Sequence, residues 1–215
     1  MPFPGTASRL GSLFIVGISP KEFARLQQRV SGRGSVQVVE PSAAVGPLSF
    51  HRMIGIDPSL RGTGLGVVAV DAGRLTVLHQ ETVKCPASWL RTRCLGRIAE
   101  RVRDVIQEFR PEVCAVEGLF FAQNLKTALT MGEARGAALG AVAITGLPVY
   151  EMAPRKVKLA VVGFGAAQKL AVAKMVQRLL NLSTLPDPDA ADALALTIAF
   201  THEARRPGAL MRAQL

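Results

Sequence analysis

At 215 residues, with a formal net charge of +10 and a pI near 10.4, the chain is long enough to bury one domain with an appendage, and its basicity favours a polyanionic partner, nucleic acid or an anionic membrane surface. No apolar run reaches roughly 18 residues without a charge, which argues against a membrane-spanning helix; the Ala- and Gly-rich stretch 136–147 is too short. Cys85, Cys94 and Cys114 lack CxxC spacing and leave an odd count. They read as reduced core thiols of an intracellular, cytoplasmic protein and not as a disulfide frame or zinc site.

Residues 1–50 differ from the remainder. Gly, Ser, Pro and Arg recur there, and Glu22 and Glu40 are the acids. A strand at 13–17 and a short helix at 21–30 are the segments that pattern there. The region is expected to be a poorly ordered extension or sequence upstream of a start at Met53, and it resembles a transit peptide only weakly. The denser pattern described next occupies 51–215.

From Met53 the signals become dense. A strand ends at Asp57, and Pro58, Gly62 and Gly64 punctuate a turn. A second strand covers 66–71, Ala72-Gly73 turns the chain, and a third strand runs 75–83 to complete an antiparallel meander. A helix over 89–109 follows, with Leu95, Ile98, Val102, Val105, Ile106 and Phe109 on one stripe. Its arginines, Arg91, Arg93, Arg97, Arg101 and Arg103, read as a solvated face. Pro111 then precedes Val113-Cys114-Ala115-Val116-Glu117, an apolar run that suits a central strand and ends in an acid.

Phe120 and Phe121 lie in the next loop, where one ring is expected to anchor in the core and the other to meet an unpaired base. Asn124 is positioned to cap a helix over 125–145. Gly132, Gly136 and Gly140 recur every fourth residue in that helix, which lets a backbone approach closely. Packing on the sheet is the default expectation, and contact with a second subunit is the sharper one. A fifth strand covers 148–152. The basic cluster Arg155-Lys156-Val157-Lys158 and the glycine-punctuated 161–165 loop then lead to a helix opened by Lys169. Last comes Pro188-Asp189-Ala190-Ala191-Asp192, whose two acids share a helix face, among alanines small enough to let that turn lie against a sheet. The basic tail beyond His202 is expected to fray.

The informative pattern is a strand-end Asp, a strand-end Glu and a late Asp-x-x-Asp. Each has a structural explanation: Asp-Pro starts turns, and acids suit a helix N-terminus. Brought together, however, Asp57, Glu117, Asp189 and Asp192 would repel and raise one another's pKa values. Hard divalent cations resolve that conflict, and oxygen ligands favour Mg²⁺ or Mn²⁺. Two such ions can drive in-line phosphoryl displacement. With a basic surface, the expectation is a nucleic-acid phosphodiesterase. GxxxxGK[ST], HExxH and GxSxG motifs are absent from the sequence.

On Gly55-Ile56-Asp57-Pro58, Val116-Glu117, the Phe120 loop, Gly132-Glu133-Ala134-Arg135-Gly136, Val157-Lys158 with Val161-Val162-Gly163, and Asp189-Ala190-Ala191-Asp192-Ala193-Leu194-Ala195, residues 53–203 resemble the RuvC family of Holliday-junction resolvases. The resemblance implies a ribonuclease-H-like α/β fold with a mixed five-stranded sheet flanked by helices. It implies an endodeoxyribonuclease of recombination and repair that makes paired nicks with two Mg²⁺ ions, Mn²⁺ substituting. The catalytic, metal-binding acids fall on Asp57, Glu117, Asp189 and Asp192, the junction-contacting aromatic on Phe120, and the functional lysines on Lys158 and Lys169. A homodimer acting with a RuvA–RuvB branch-migration complex, and no membrane association, are implied as well. Ser59 and Leu65 depart from the family pattern, which often has Gly and an aromatic there. The alternatives are a ribonuclease-H-like nuclease acting on RNA–DNA hybrid and a junction-binding protein that does not cut. An actin-like ATPase would need a second domain.

Overall fold

The computed structural model describes residues 50–118, 124–205 and 214–215. The expected segments at 13–17 and 21–30, and Phe120 and Phe121, lie outside them. Strands β1 (Arg52–Asp57), β2 (Gly62–Asp71) and β3 (Arg74–Lys84) form the antiparallel meander. Ala72 and Gly73, both with positive φ (45° and 84°), make the two-residue turn between β2 and β3. Such a turn matches the twist of the strands that it joins. Helix α1 (Arg91–Phe109) leads to β4 (Val113–Glu117), α2 (Leu125–Ile144) to β5 (Val149–Met152), and α3 (Pro154–Val162), α4 (Lys169–Leu179) and α5 (Pro188–Ala204) follow. The sheet order is β3-β2-β1-β4-β5, with β4 parallel to β1 and β5 parallel to β4, which makes the mixed five-stranded sheet that the resemblance implies.

Side chains alternate across the sheet, and two core layers result. Met53, Val68, Val113 and Ala115 face one layer, where they pack with Leu194, Ile198 and Phe200 of α5, Val157 and Val161 of α3, and Val172 and Val176 of α4. Ile54, Ile56, Leu65, Val67, Cys114 and Val116 face the other, against Ile98 and Val102 of α1 and Ala134 and Ala138 of α2. Helix α5 is buried along most of its length, as a helix with little polar surface must be. The arginines of α1 are solvent-facing or paired: Arg101 meets Glu81 at 2.7 Å and Arg91 meets Glu133 at 3.1 Å.

Several boundaries differ from expectation, each for a physical reason. Strand β2 begins at Gly62 instead of 66, because Gly62 and Gly64 pair with Lys84 and Thr82 within the sheet. Helix α1 starts at Arg91, and Trp89 lies under the Arg93 guanidinium, 3.8 Å from the ring centroid. Val161 and Val162 belong to α3 and not to a loop: Pro154 stands in its first turn, Val157 and Val161 are buried one turn apart, and Gly163 (φ 79°) closes it. Asn124 caps α2 as expected, its Oδ1 accepting from the Thr127 N–H at 2.9 Å. The tail expected to fray lies mostly outside the described residues; at 214–215, Gln214 bridges Tyr150, and the Leu215 N–H donates to the Val149 carbonyl at 3.0 Å.

The glycine row of α2 does not pack on the sheet. Among the described residues, a Cβ at Gly132, Gly136 or Gly140 would meet nothing within 4 Å. The sheet is met instead by Ala134, Ala138 and Ala141. Residues two apart lie about 200° apart around a helix, so burying the alanine row turns the glycine row outward.

Candidate active site

The alternation that fills the core also delivers the acids. Along β1, Met53, Gly55 and Asp57 point toward α5; along β4, Val113, Ala115 and Glu117 do the same. Ile56 is in register with Val116 on the parallel neighbour. The next residues, Asp57 and Glu117, therefore stand side by side at the carboxyl ends of adjacent strands, where open α/β sheets place their ligand sites.

The other two acids come with α5, and strand glycines let it approach. A Cβ on Gly55 would overlap the Ala193 carbonyl, and one on Gly64 would overlap the Asp189 carbonyl. One on Gly62 would strike Asp189 Oδ2. These three positions form a notch on the meander into which the first turns of α5 settle. Asp187 is the residue before the helix, and its carboxylate meets Lys84 Nζ at 2.8 Å. Asp189 and Asp192 are then carried onto β1. One carboxylate oxygen from each of Asp57, Asp189 and Asp192 lies within 4.8 Å of the others. Glu117 stands beside Asp57, near enough for the two carboxyls to share a hydrogen bond, and outside that tightest group of three.

Electrostatics at this cluster are severe. Asp57 is 9% exposed, and burial, followed by the charges of Glu117 and Asp192 and the bond to Glu117, pushes its carboxyl up to about 8. Glu117 is also raised, first by burial and then by Asp192, while Asp57, Lys169 and Lys158 pull it back. Lys169, the first residue of α4, reaches Asp192 Oδ2 at 2.8 Å and Asp189 Oδ1 at 3.7 Å. Burial lowers its pKa, but the bond to Asp192 and the charges of Asp192, Asp57 and Asp189 more than reverse that. Lys158, on α3, is half-buried and acts on Glu117 through its charge. An oxygen-only donor set with this much uncompensated negative charge fits a hard divalent cation.

The structure thus brings together Asp57, Glu117, Asp189, Asp192 and Lys169, with Lys158 within electrostatic reach. Phe120 lies outside the described residues. Ser59 sits in the β1–β2 connection, where its N–H donates to Thr63 Oγ1 (3.2 Å) and the Thr63 hydroxyl donates to its carbonyl (2.6 Å). Leu65 pairs in register with Ile56, but its side chain is fully buried on the α1–α2 face, away from the acids. Sequence reasoning missed the notch, since Gly62 and Gly64 read as turn formers and Gly55 as an ordinary strand residue, and missed the role of Arg135. The Arg135 Nη1 donates to the Glu117 carbonyl at 2.5 Å, and Nη2 pairs with the Glu151 carboxylate.

Comparison with known proteins gives one consistent answer. Residues 53–202 match the family model for crossover junction endodeoxyribonuclease RuvC. A RuvC of Polynucleobacter asymbioticus is 43% identical over 164 residues, covering 75% of this chain and 95% of the relative. That of Chloroflexus aggregans is 44% identical over 154 residues, covering 71% and 94%. Among solved structures, T. thermophilus RuvC in complex with Holliday junction substrate superposes with a TM-score of 0.67 at 40% identity, covering 73% of this chain and 99% of that one. The yeast mitochondrial Holliday junction resolvase shares the fold alone, with a TM-score of 0.52 at 9% identity over 74% and 82% of the two chains. The strand order, the flanking helices and these matches together make this a ribonuclease-H-like domain, and the chain belongs to the RuvC family of crossover junction endodeoxyribonucleases, metal-dependent nucleases.

Proposed function

We propose that this protein resolves four-way DNA junctions by paired, symmetrical nicks, using two Mg²⁺ ions, for which Mn²⁺ can substitute. The observation that carries the reading is the convergence of the Asp57, Asp189 and Asp192 oxygens within 4.8 Å, with Glu117 beside Asp57. Bound divalent ions supply Lewis-acid activation of a water and neutralise charge on the leaving oxygen. Asp57, Glu117, Asp189 and Asp192 are the residues that would hold the ions. Lys169, paired with Asp192 and Asp189, and Lys158 hold backbone phosphate or steady transition-state charge. Phe120 engages the unpaired centre of the junction. The net charge of +10 draws the DNA.

Paired nicks call for two copies of the site. The outward stripe on α2 supports a homodimer: Gly132, Gly136 and Gly140 are open, and Leu125 (76% exposed), Leu129 (57%) and Ile144 (86%) continue it. Cooperation with a RuvA–RuvB branch-migration complex in the cytoplasm belongs to the same reading. Among the described residues, no helix is long and apolar enough to cross a membrane. Residues 51–215 act as the nuclease domain and 1–50 as an appendage, a division supported by the family match starting at Met53.

The test is a labelled synthetic four-way junction beside duplex DNA and RNA–DNA hybrid, each with and without Mg²⁺. Nicks on opposite strands, on the junction alone and only with metal, are expected. Cleavage of the hybrid alone would overturn the substrate, and tight junction binding without nicks would overturn the chemistry.

A further inference from the structure

Two faces of the sheet meet at Glu117. Its carboxyl projects toward α5 and the acid cluster, whereas α2 packs on the reverse face. From that reverse face Arg135 reaches the end of β4. Its side chain, 11% exposed, spans two strands: Nη1 donates to the carbonyl of Glu117 itself at 2.5 Å, and Nη2 pairs with Glu151 on β5. Glu151 lies opposite Val116 in the parallel register, one residue before Met152, whose carbonyl accepts from the Gly118 N–H at 2.9 Å. Two bonds thus tie the tip of β4 to β5, one through the backbone and one through the guanidinium.

We infer that Arg135 is a positioning residue for the metal centre, fixing the main chain at Glu117 so that its carboxyl stays in a cluster that repels it. The inference rests on the reading of Glu117 as a metal ligand. The physical need is direct. Glu117 is the last residue of its strand, and strand ends are where a ladder loosens. Asp57 stands beside it at the end of the neighbouring strand, next to Asp189 and Asp192, and carboxylates gathered this closely push apart unless the main chain that carries them is held. Arg135 supplies the hold through the Glu117 carbonyl, and its bonds go to that carbonyl and to Glu151, not to a carboxylate of the centre. A planar fork can satisfy the carbonyl and the Glu151 carboxylate at once; an ammonium on a flexible stem is a poor substitute.

The test uses the full chain, with Mn²⁺ alone as the probe, and the variants Arg135→Lys and Glu151→Gln. Mn²⁺ affinity is measured by titration calorimetry without DNA, next to thermal melting, junction affinity and single-turnover nicking. Losing an outer partner of a metal ligand typically costs about 10- to 100-fold in metal affinity or activity. The expectation for Arg135→Lys is a Mn²⁺ affinity and nicking rate lower by about that factor, with melting and junction affinity close to wild type. Glu151→Gln shifts both in the same direction by less. Wild-type Mn²⁺ affinity in a folded Arg135→Lys protein would overturn the inference. Should that variant fail to fold, the folded Glu151→Gln protein decides by the same readout. Asp57→Asn is run alongside: nicking that survived there would overturn the four-acid reading whatever the Arg135 result, because the Mn²⁺ titration reads Arg135 separately.

Discussion

Two sets of glycines in this protein do opposite things. On the meander, Gly55, Gly62 and Gly64 face α5 so closely that a single added methyl would collide with it. On α2, Gly132, Gly136 and Gly140 meet nothing within 4 Å among the described residues. The first set is already used: backbone meets backbone, and Asp189 and Asp192 are brought to Asp57. The second set offers the same close approach with no occupant in the described chain. A glycine row thus marks a place where something comes near, and only the fold says whether that something lies within the chain.

Substitutions break this comparison in graded steps. Gly64→Ala carries the largest expected effect on the fold: its methyl meets the rigid Asp189 backbone, so α5 must lift. Overpacking of this kind costs about 1–3 kcal/mol, read by urea unfolding, and nicking should be lost with it. The acidity of the assembled site gives the next effect. Burial and its neighbours push Asp57 up to about 8 from an ordinary 3.8, so between those values the native state holds more protons than the unfolded chain. Without metal, stability is greatest below the lower value, falls as pH rises toward about 8, and levels off above it. Unfolding midpoints in a chelator at about pH 5 and about pH 8 should differ in that direction, and Mg²⁺ should shrink the difference. A midpoint rising over that interval would contradict the burial of an uncompensated acid.

Gly62→Ala sharpens the comparison within the notch. The atom it would strike is the Asp189 carboxylate end and not backbone, so the fold gives way more easily while an acid of the cluster is displaced. Unfolding should move by less than in Gly64→Ala, while Mn²⁺ affinity falls. On the open row, Gly136→Ala carries the smallest effect on the monomer and of opposite sign. Removing a mid-helix glycine should stabilise by about 0.5–1 kcal/mol, while self-association measured by sedimentation weakens. Unchanged association would mean that the row is not a subunit contact.

Much of this was legible in the residues. The meander, the central β4 run and the α1 stripe follow from hydrophobic period, and Asn124 announces its helix. The acids were legible because each stands where an apolar strand ends or a helix begins. The notch was not, because Gly62 and Gly64 beside Pro58 look like turn punctuation, and the reason for them, the backbone of Asp189, lies far along the chain. The outward α2 row was misjudged because glycine spacing reveals a smooth face without saying which way it turns; Ala134 and Ala138 settle that. Arg135 was invisible in its role, since its partners sit on the tips of two strands that only register brings together. Lys158 and Lys169 drew notice through family resemblance, their own spacing being that of ordinary surface lysines.

The central claim is that four acids, delivered by two strand ends and one helix seated in a notch of the meander, form a metal-dependent nicking centre. It is tested most directly by Asp57→Asn, with junction nicking under saturating Mg²⁺ and junction binding measured on the same preparation. Asparagine keeps the shape of Asp57 but removes its charge. The account predicts that cleavage disappears while junction affinity stays near wild type, and that the metal-free fold loses much of its decline in stability between about pH 4 and about pH 8. Cleavage continuing at close to the wild-type rate would contradict it.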